Sequence, residues 1–374
     1  MTTVGMSLDI FCRGLLRELS GEGYEVVAIA SPDDSLANLC KREGVRGIGV
    51  EMRREIAPLA DLKSLIRLTK VLRREKPRMI HTMTPKAGLL GMMAARIAGV
   101  PVRVHTFTGL LFPTATGLRR RLLRFTDRIT CLCATDIIAE GHGVAADLHE
   151  AGVTAGKPTV LGHGNVRGVD LDHYRVTPEI KERGKEIREK LGIPEGAFVF
   201  IFIGRLVGDK GLRELGDAFR AIGRDDCHLV IAGDTEGGRD DIDTARLAAI
   251  PGVHLSGGWV SDVRPWLAMA DALVFPSYRE GFPNVVLEAG AMGLPSVVTD
   301  INGSREIITD GYNGLVAEPR NQESLLASMQ TMLSMPRARL YRMGADARED
   351  VERRFAQPYV RKCLKDFYRR LLQK

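Results

Sequence analysis

Glu280 and Glu288 stand eight residues apart around Gly281-Phe282-Pro283-Asn284, a turn that opens a helix. The apolar run from Asp271 to Pro276 (DALVFP) lies just upstream and reads as a buried strand and its end. In an open parallel sheet, ligands bind beyond the carboxyl ends of the strands, where helix N-termini point into the crevice. That order places Glu280 in the loop and Glu288 in the first turns of the helix. Carboxylates repel a phosphate but accept hydrogen bonds from hydroxyls. The free amides of a helix start suit an anion. Together they describe a pocket for something polyhydroxylated and phosphorylated, such as a nucleotide sugar. The plain alternative is two ordinary acids on a loop and a helix; the strand–turn–helix setting argues for the pocket.

A second strand carries a complementary loop. Phe198 to Ile203 (FVFIFI) is continuously apolar, as a strand buried on both faces must be. Gly204-Arg205-Leu206-Val207-Gly208-Asp209-Lys210-Gly211 follows, then a helix from about Leu212. The glycines let backbone approach a ligand, and Arg205 and Lys210 on one loop match a diphosphate. Each such charge-assisted hydrogen bond contributes about 1.5–3 kcal/mol. The loop is neither a Walker A loop nor a GxGxxG fingerprint, which argues against a dinucleotide-dependent oxidoreductase.

The stretch from about Phe198 to Pro319 resembles the C-terminal domain of the retaining glycosyltransferases of family 4, which have the GT-B fold. The pieces in order are Gly204-Arg205-Leu206 with Lys210-Gly211, Val230-Ile231-Ala232-Gly233-Asp234 and Trp266 to Asp271. VFPSYREGFPNVVLEA, Gly293 to Val298 and Gly311 to Val316 complete the series. The resemblance implies an α/β protein of two Rossmann-like, doubly wound domains facing across a cleft. It implies that Arg205 and Lys210 bind the donor diphosphate and steady the leaving group. Glu288 would accept from the nucleotide ribose, and Glu280 would lie near the donor sugar hydroxyls. The backbone around Gly281, Phe282, Pro283, Asn284 and Val285 would meet sugar or phosphate. Gly5, Gly204, Gly233 and Trp259 complete the expected donor site. No metal or other cofactor is expected, since two cations and a helix N-terminus can do the electrostatic work. Uridine is the default base, as the commonest in such donors. A lectin-like binder with a dead site is disfavoured because both carboxylates and both cations are present.

The 374 residues exceed one ordinary core. The expected domains are 1–175, facing the acceptor, and 176–356, binding the nucleotide sugar, with a basic helix at 357–374 returning to the first. No run of about 18 apolar residues signals a membrane span, and the start is not a signal peptide. Six cysteines lack metal-ligand spacing and read as reduced thiols in a cytoplasmic enzyme, with Cys131-Leu132-Cys133 placed on a strand. Residues 1–178 hold 25 Lys and Arg against 18 Asp and Glu, while the rest holds 28 against 29. All the excess positive charge is therefore in the acceptor half. That suits an anionic membrane surface or a diphosphate-linked lipid. Within it, Leu118, Leu122 and Phe125 recur at helical spacing among Arg119, Arg120, Arg121, Arg124 and Arg128. Leu110 to Pro113 precede them as an apolar loop. The segment Leu110–Arg128 is thus expected to dock on lipid. Nucleic acid is not expected, for want of aromatic interleaving or a reader motif.

Strands at Tyr24–Ile29, Ile48–Glu51, Met79–His81 and Val102–Thr106 alternate with helices at about Met6–Ser20, Leu36–Arg42, Asp61–Arg74 and Pro85–Ala98. This pattern means a parallel sheet. Only Met1 to Val4 remain for a first strand, where relatives have a longer one. Either the start lies further upstream or the strand is very short. Relatives carry a functional histidine directly before a glycine at the end of the fourth strand. Here Thr108 holds that slot, and His105 lies three residues earlier as the candidate catalytic histidine. After the third strand only His81 of a His-x-His remains. Lys86, at a helix start with Pro85 in first position, is a candidate anchor for acceptor phosphate. The acceptor-side residues are thus Lys86 and Thr108. His163 to Asp170 resembles the inter-domain crossover.

The expected activity is a retaining transfer of a hexose or N-acetylhexosamine from a nucleotide diphosphate, with uridine as the default base. The expected acceptor is a lipid-linked or nascent surface glycan at the inner face of a bacterial membrane. The resemblance implies a same-face mechanism in which the leaving diphosphate helps deprotonate the acceptor. A GT-B epimerase, or transfer to a soluble acceptor, is the alternative.

Overall fold

The computed structural model describes every residue except Arg54, Ile56, Arg239 and Lys374. The chain divides into two units. One comprises Met1–Gly168 with Pro358–Lys374, and the other Val169–Gln357. The sequence reading places that boundary at 175–176.

The first unit runs α1 (Gly5–Cys12), α2 (Leu15–Gly21), β1 (Val27–Ala30), α3 (Asp34–Glu43), β2 (Arg46–Gly49), α4 (Pro58–Glu75) and β3 (Met79–Thr82). It continues through α5 (Pro85–Ala98), β4 (Val102–Phe107), α6 (Gly117–Cys133), β5 (Asp136–Ala139), α7 (His142–Glu150) and β6 (Thr159–Val160). β3-β4-β5-β6 form one parallel sheet and β1-β2 a second parallel pair. The backbone of Met1 to Thr3 lies between them. Thr2 N–H donates to Ile29 O and Ser31 N–H to Thr3 O, while Met83 N–H donates to Met1 O.

Three expectations for this unit need correction. The single helix expected at Met6–Ser20 is two helices, because Gly14 is left-handed (φ 77°) and its N–H is taken by Glu43 Oε1 at 3.1 Å. Cys131 and Cys133 lie in the last turn of α6, not on a strand. The helical ladder runs on through them, with Thr130 Oγ1 bonding back to Thr126 O at 3.0 Å. The loop before α6 offers only part of its apolar surface: Leu110 and Phe112 are buried in a core with Phe107, Val144 and Leu148, while Leu111 and Pro113 are exposed.

The second unit runs α8 (Pro178–Lys190), β7 (Phe198–Ile203), a 3-10 turn at Gly208–Lys210, α9 (Leu212–Ile222), β8 (Cys227–Ala232), α10 (Thr244–Ala248) and β9 (Val253–Leu255). There follow α11 (Arg264–Ala268), β10 (Ala272–Phe275), α12 (Asn284–Ala291), β11 (Ser296–Thr299), α13 (Ser304–Ile307), β12 (Gly314–Ala317), α14 (Gln322–Ser334) and α15 (Arg337–Phe355). Then α16 (Gln357–Leu372) enters the first unit. Its Leu364, Phe367, Tyr368 and Leu371 pack with Leu15, Leu19 and Val104. The sheet order is β12-β11-β10-β7-β8-β9, all parallel. β7 is buried at every residue, which its FVFIFI sequence requires. Chain order runs outward in both directions from the β7–β10 pair. That pair is therefore the topological switch point, and the loops that follow β7 and β10 open where a ligand crevice forms in such sheets.

Candidate active site

The loops after β7 and β10 are those that carry Lys210 and Glu280. Two glycines let them approach. A Cβ at Gly211 would lie 2.1 Å from Pro276 O, and Gly211 is left-handed (φ 69°). A Cβ at Gly233, after β8, would lie 1.8 Å from Gly204 O, after β7. Gly204 and Gly233 are thus needed for backbone-on-backbone packing at the strand ends.

On that base Lys210 Nζ donates to Glu280 Oε1, in a pair whose side chains are largely buried. The ammonium lies 5.3 Å from the centroid of the Phe275 ring. Ser277 Oγ bonds the same Glu280 oxygen at 2.8 Å. Its backbone carbonyl accepts from Thr299 Oγ1, at the end of β11. The loops after the adjacent strands β7 and β10 therefore meet at one carboxylate, and Thr299 at the end of β11 holds the Ser277 backbone beside it. Beside them α12 begins at Asn284, with Pro283 as N-cap and no side-chain cap. Its partial positive charge favours an anion at this end. Glu288 is buried one turn into α12.

Burial and a hydrogen bond to Glu214 push the Tyr278 phenol well above its usual range, so it stays protonated. Arg320 lies over its ring, 4.8 Å from the centroid.

The structure does not gather every expected residue. Arg205 is half-exposed and paired with Glu236 at 2.8 Å, where the sequence places it beside Lys210 on a diphosphate. The Phe282 ring is buried and packs on Phe355 at 5.4 Å between centroids, so that residue offers backbone rather than side chain. Trp259 is 76% exposed, after Gly257 and Gly258, both with positive φ.

In the first unit, Gly5 opens α1 and is buried. Its N–H donates to Asp33 Oδ2 at 3.0 Å, and a Cβ there would meet Asp33 and Leu36 at 2.3 Å. Glycine is required at that position by packing on α3. Lys86 is held by Asp61 (2.6 and 2.8 Å) and by Glu55 O (2.8 Å). Thr108 Oγ1 donates to Met83 O at 3.2 Å.

His105, the expected catalytic histidine, lies inside β4. It is buried, bonded through Nδ1 to Thr82 Oγ1 at 2.8 Å, and edge-on to Phe107. It fills the space where a side chain at Gly88 would be, 2.4 Å from a built Cβ. Burial pushes its pKa down to about 3, so it is neutral near pH 7.

Two features escaped sequence reasoning. The first is the Asp209–Arg279 pair that binds the two loops. Its signal was only that each residue directly precedes a candidate site residue. The second is α4. Leu59, Leu62 and Ile66 on α4 are exposed, as are Leu118, Leu122, Phe125 and Leu132 on α6. α4 and α6 both pack on α5, so the two apolar stripes belong to one helical layer. A 3–4 spacing with Lys63 between and Arg67 and Lys70 following was the available clue on α4.

Residues 197–335 match the family model described as glycosyl transferases group 1, and residues 9–164 that of the glycosyl transferase 4-like domain. The chain is 30% identical to the capsular polysaccharide biosynthesis glycosyltransferase CapM of Staphylococcus aureus, across 100% of this chain and 97% of that protein. It is 31% identical to an Escherichia coli UDP-Gal:alpha-D-GlcNAc-diphosphoundecaprenol alpha-1,3-galactosyltransferase, over 74% of this chain and 71% of the relative. Among solved structures, Anabaena HepE in complex with UDP-glucose superposes with a TM-score of 0.79 at 20% identity, covering 95% of this chain and 94% of that one. That likeness gives the GT-B fold.

Proposed function

Because the chain belongs to the family 4, or group 1, glycosyltransferases, we propose that it moves a hexose or N-acetylhexosamine from a UDP-sugar, with retention, onto a diphosphate-linked lipid glycan. The observation that carries this reading is the Lys210–Glu280–Ser277 cluster at the β7–β10 switch point, beside the N-terminus of α12.

Lys210 is the cation for the donor diphosphate. Glu280 holds it before the donor arrives and then has oxygens to accept from sugar hydroxyls. Charge builds on the leaving diphosphate as the glycosidic bond breaks. A fixed ammonium and a helix start stabilise it without reorganising. Arg205 joins by leaving Glu236, an exchange that costs little at a half-exposed pair. Glu288 takes the ribose, and Trp259 covers the base. The leaving diphosphate, steadied in this way, takes the acceptor proton on the same face. No metal is required in this scheme.

For the acceptor, the support is the cationic first unit and the exposed apolar stripe of α6, where Leu118 is 81% and Phe125 60% exposed. Arginines beside these residues fit an anionic headgroup layer, which is where a lipid-linked acceptor resides. No helix among the described residues is long and apolar enough to cross a membrane. The E. coli relative is named for a diphosphoundecaprenol-linked acceptor, which agrees with this assignment.

The test is calorimetric titration of UDP, GDP and ADP with EDTA present, followed by transfer assays with the matching sugar nucleotides and polyprenyl-diphosphate-linked sugars. Metal-free binding of UDP, lost in Lys210→Ala, and an α-linked product from an α-linked donor are expected. Binding of none of the three, or an inverted product, would overturn the reading.

A further inference from the structure

The segment after β8 is acidic. Asp234-Thr235-Glu236-Gly237-Gly238 and the five residues that follow carry five carboxylates and a single arginine. Beside a loop assigned to a diphosphate such a segment works against binding, since like charges repel.

Main chain fixes this segment to the loop after β7 on both of its arms. Leu206 N–H donates to Asp234 O at 2.9 Å, Ile242 N–H to Leu206 O at 3.0 Å, and Gly208 N–H to Asp240 O at 2.7 Å. Val207 and Asp241 form an antiparallel bridge. At the tip, the Asp241 carboxylate accepts from Glu236 N–H at 3.1 Å and from Gly238 N–H at 2.9 Å. The place of Glu236 opposite Arg205 is therefore built by backbone. An exposed ion pair usually gives back much of its attraction in ordering two long side chains. Here the two backbones are ordered already.

Lys210 and Arg205 thus each have a resident carboxylate, Glu280 for the first and Glu236 for the second. The pairs differ in burial. The side chains of Lys210 and Glu280 are 11% and 17% exposed, those of Arg205 and Glu236 48% and 47%. Glu280 is enclosed and stays in place. Glu236 faces water, next to Gly237 and Gly238, and can turn outward at little cost.

We propose that Glu236 sets the difference in affinity between donor and nucleotide product at this site. The inference rests on the donor site proposed above. Arg205 leaves Glu236 for the diphosphate as the donor binds and returns to it as the nucleoside diphosphate departs. The product carries about one more negative charge at pH 7 than the sugar nucleotide, because its terminal phosphate ionises a second time near pH ~6. A carboxylate held beside the site by main chain repels the more highly charged species more strongly. It also competes with that species for the same guanidinium. Glu236 therefore weakens the product more than the donor, which favours release after transfer.

Glu236→Gln keeps the shape and removes the charge, and it is compared with Arg205→Ala and with the double variant. Calorimetric titration of UDP, GDP and ADP into each full-length form at low salt reads product affinity. Steady-state transfer with the matching sugar nucleotide reads the donor KM and inhibition by the free diphosphate. Glu236→Gln is expected to tighten the nucleoside diphosphate about two- to fivefold and to lower the donor KM by a smaller factor. Arg205→Ala should weaken binding, and in that background Glu236→Gln should have a smaller effect. Unchanged or weaker nucleotide binding by Glu236→Gln would overturn the proposal. So would an equal gain for donor and product, or an equal gain with and without Arg205. The donor site itself survives those results if Arg205→Ala and Lys210→Ala still lose nucleotide. Binding of none of the three nucleotides to the parent chain would overturn both.

Discussion

Arg279 donates from Nη2 to Asp209 Oδ2 at 2.5 Å, and the pair ties the loop after β10 to the loop after β7. Two further bonds to Asp209 O, from Tyr278 N–H at 2.8 Å and Ser277 Oγ at 3.2 Å, run beside it. Each partner directly precedes a residue of the Lys210–Glu280 pair. The registry of the two loops is thus set one residue away from that pair. Arg279→Ala should lower kcat by about 10–100-fold through misplacement of Lys210, with a smaller change in donor KM. Arg279→Lys should recover part of it. Steady-state kinetics of the three forms decide; a pure KM effect would assign Arg279 to donor binding instead.

Lys210 and Glu280 neutralise each other in a largely buried place. Lys210→Met should lose about 10²–10³-fold in turnover and also lose stability, because Glu280 is left buried without its cation. Glu280→Gln should be destabilising as well. The double variant should lose less than the sum of the two. Denaturant melts of all four forms give the coupling, and additive losses would show that the pair contributes nothing to folding.

Gly233→Ala places a methyl 1.8 Å from Gly204 O. β7 and β8 must part at their carboxyl ends to admit it, at a cost of about 3 kcal/mol. Thermal unfolding with and without UDP should show a lower midpoint and a weaker nucleotide shift.

Burial pushes the Asp127 carboxyl up to about 7. Between roughly pH 4 and 7 the unfolded chain has released this proton and the folded one keeps it, so stability falls as pH rises through that window. Asp127→Asn should therefore raise the midpoint at pH 8 by at least ~2 °C and change little at pH 4. His105 acts in the opposite sense. Its lowered pKa makes the fold lose stability as pH falls below about 6.5. Melting curves across pH 4–8 for the parent chain and Asp127→Asn separate the two.

Leu118→Ser with Phe125→Ser should reduce binding to anionic vesicles at least tenfold, since each apolar side chain contributes up to about 1.5–3 kcal/mol when buried. Replacing Arg120 and Arg124 by Gln should reduce the salt dependence instead. Vesicle co-sedimentation at two salt concentrations separates these contributions. Binding unaffected by both pairs of changes would remove α6 from the interface.

The second unit was largely legible because its strands are buried on both faces. FVFIFI can be little else, and an apolar strand followed by EGFPN places a helix start at a strand end. Lys210 and Glu280 were each assigned to a loop at a strand's carboxyl end, and that is where they lie. Their union across 70 residues was not legible, because β7 and β10 are neighbours only through the sheet order. Arg205 shows the same limit. Its loop follows from the sequence, but its partner Glu236 belongs to a different loop.

In the first unit, composition misled where burial decides. Leu110 and Phe112 read as a lipid-facing loop because nothing local reveals the pocket formed by Phe107, Val144 and Leu148. Cys131 and Cys133 share the period of a strand over three residues, yet the arginine-rich helix simply continues through them. His105 has the residue type of a catalyst, and nothing local reveals that inside β4 it packs against Gly88.

The path of α16 has a consequence for biosynthesis. The second unit is one continuous stretch and can fold as soon as it clears the ribosome. The first is interrupted, and its core lacks Leu364, Phe367, Tyr368 and Leu371 until α16 has been translated. Its sheet must wait, partly uncovered, through the synthesis of some 190 residues. A stop codon just after Gln357 would therefore spare the second unit and leave the half encoded first unfinished.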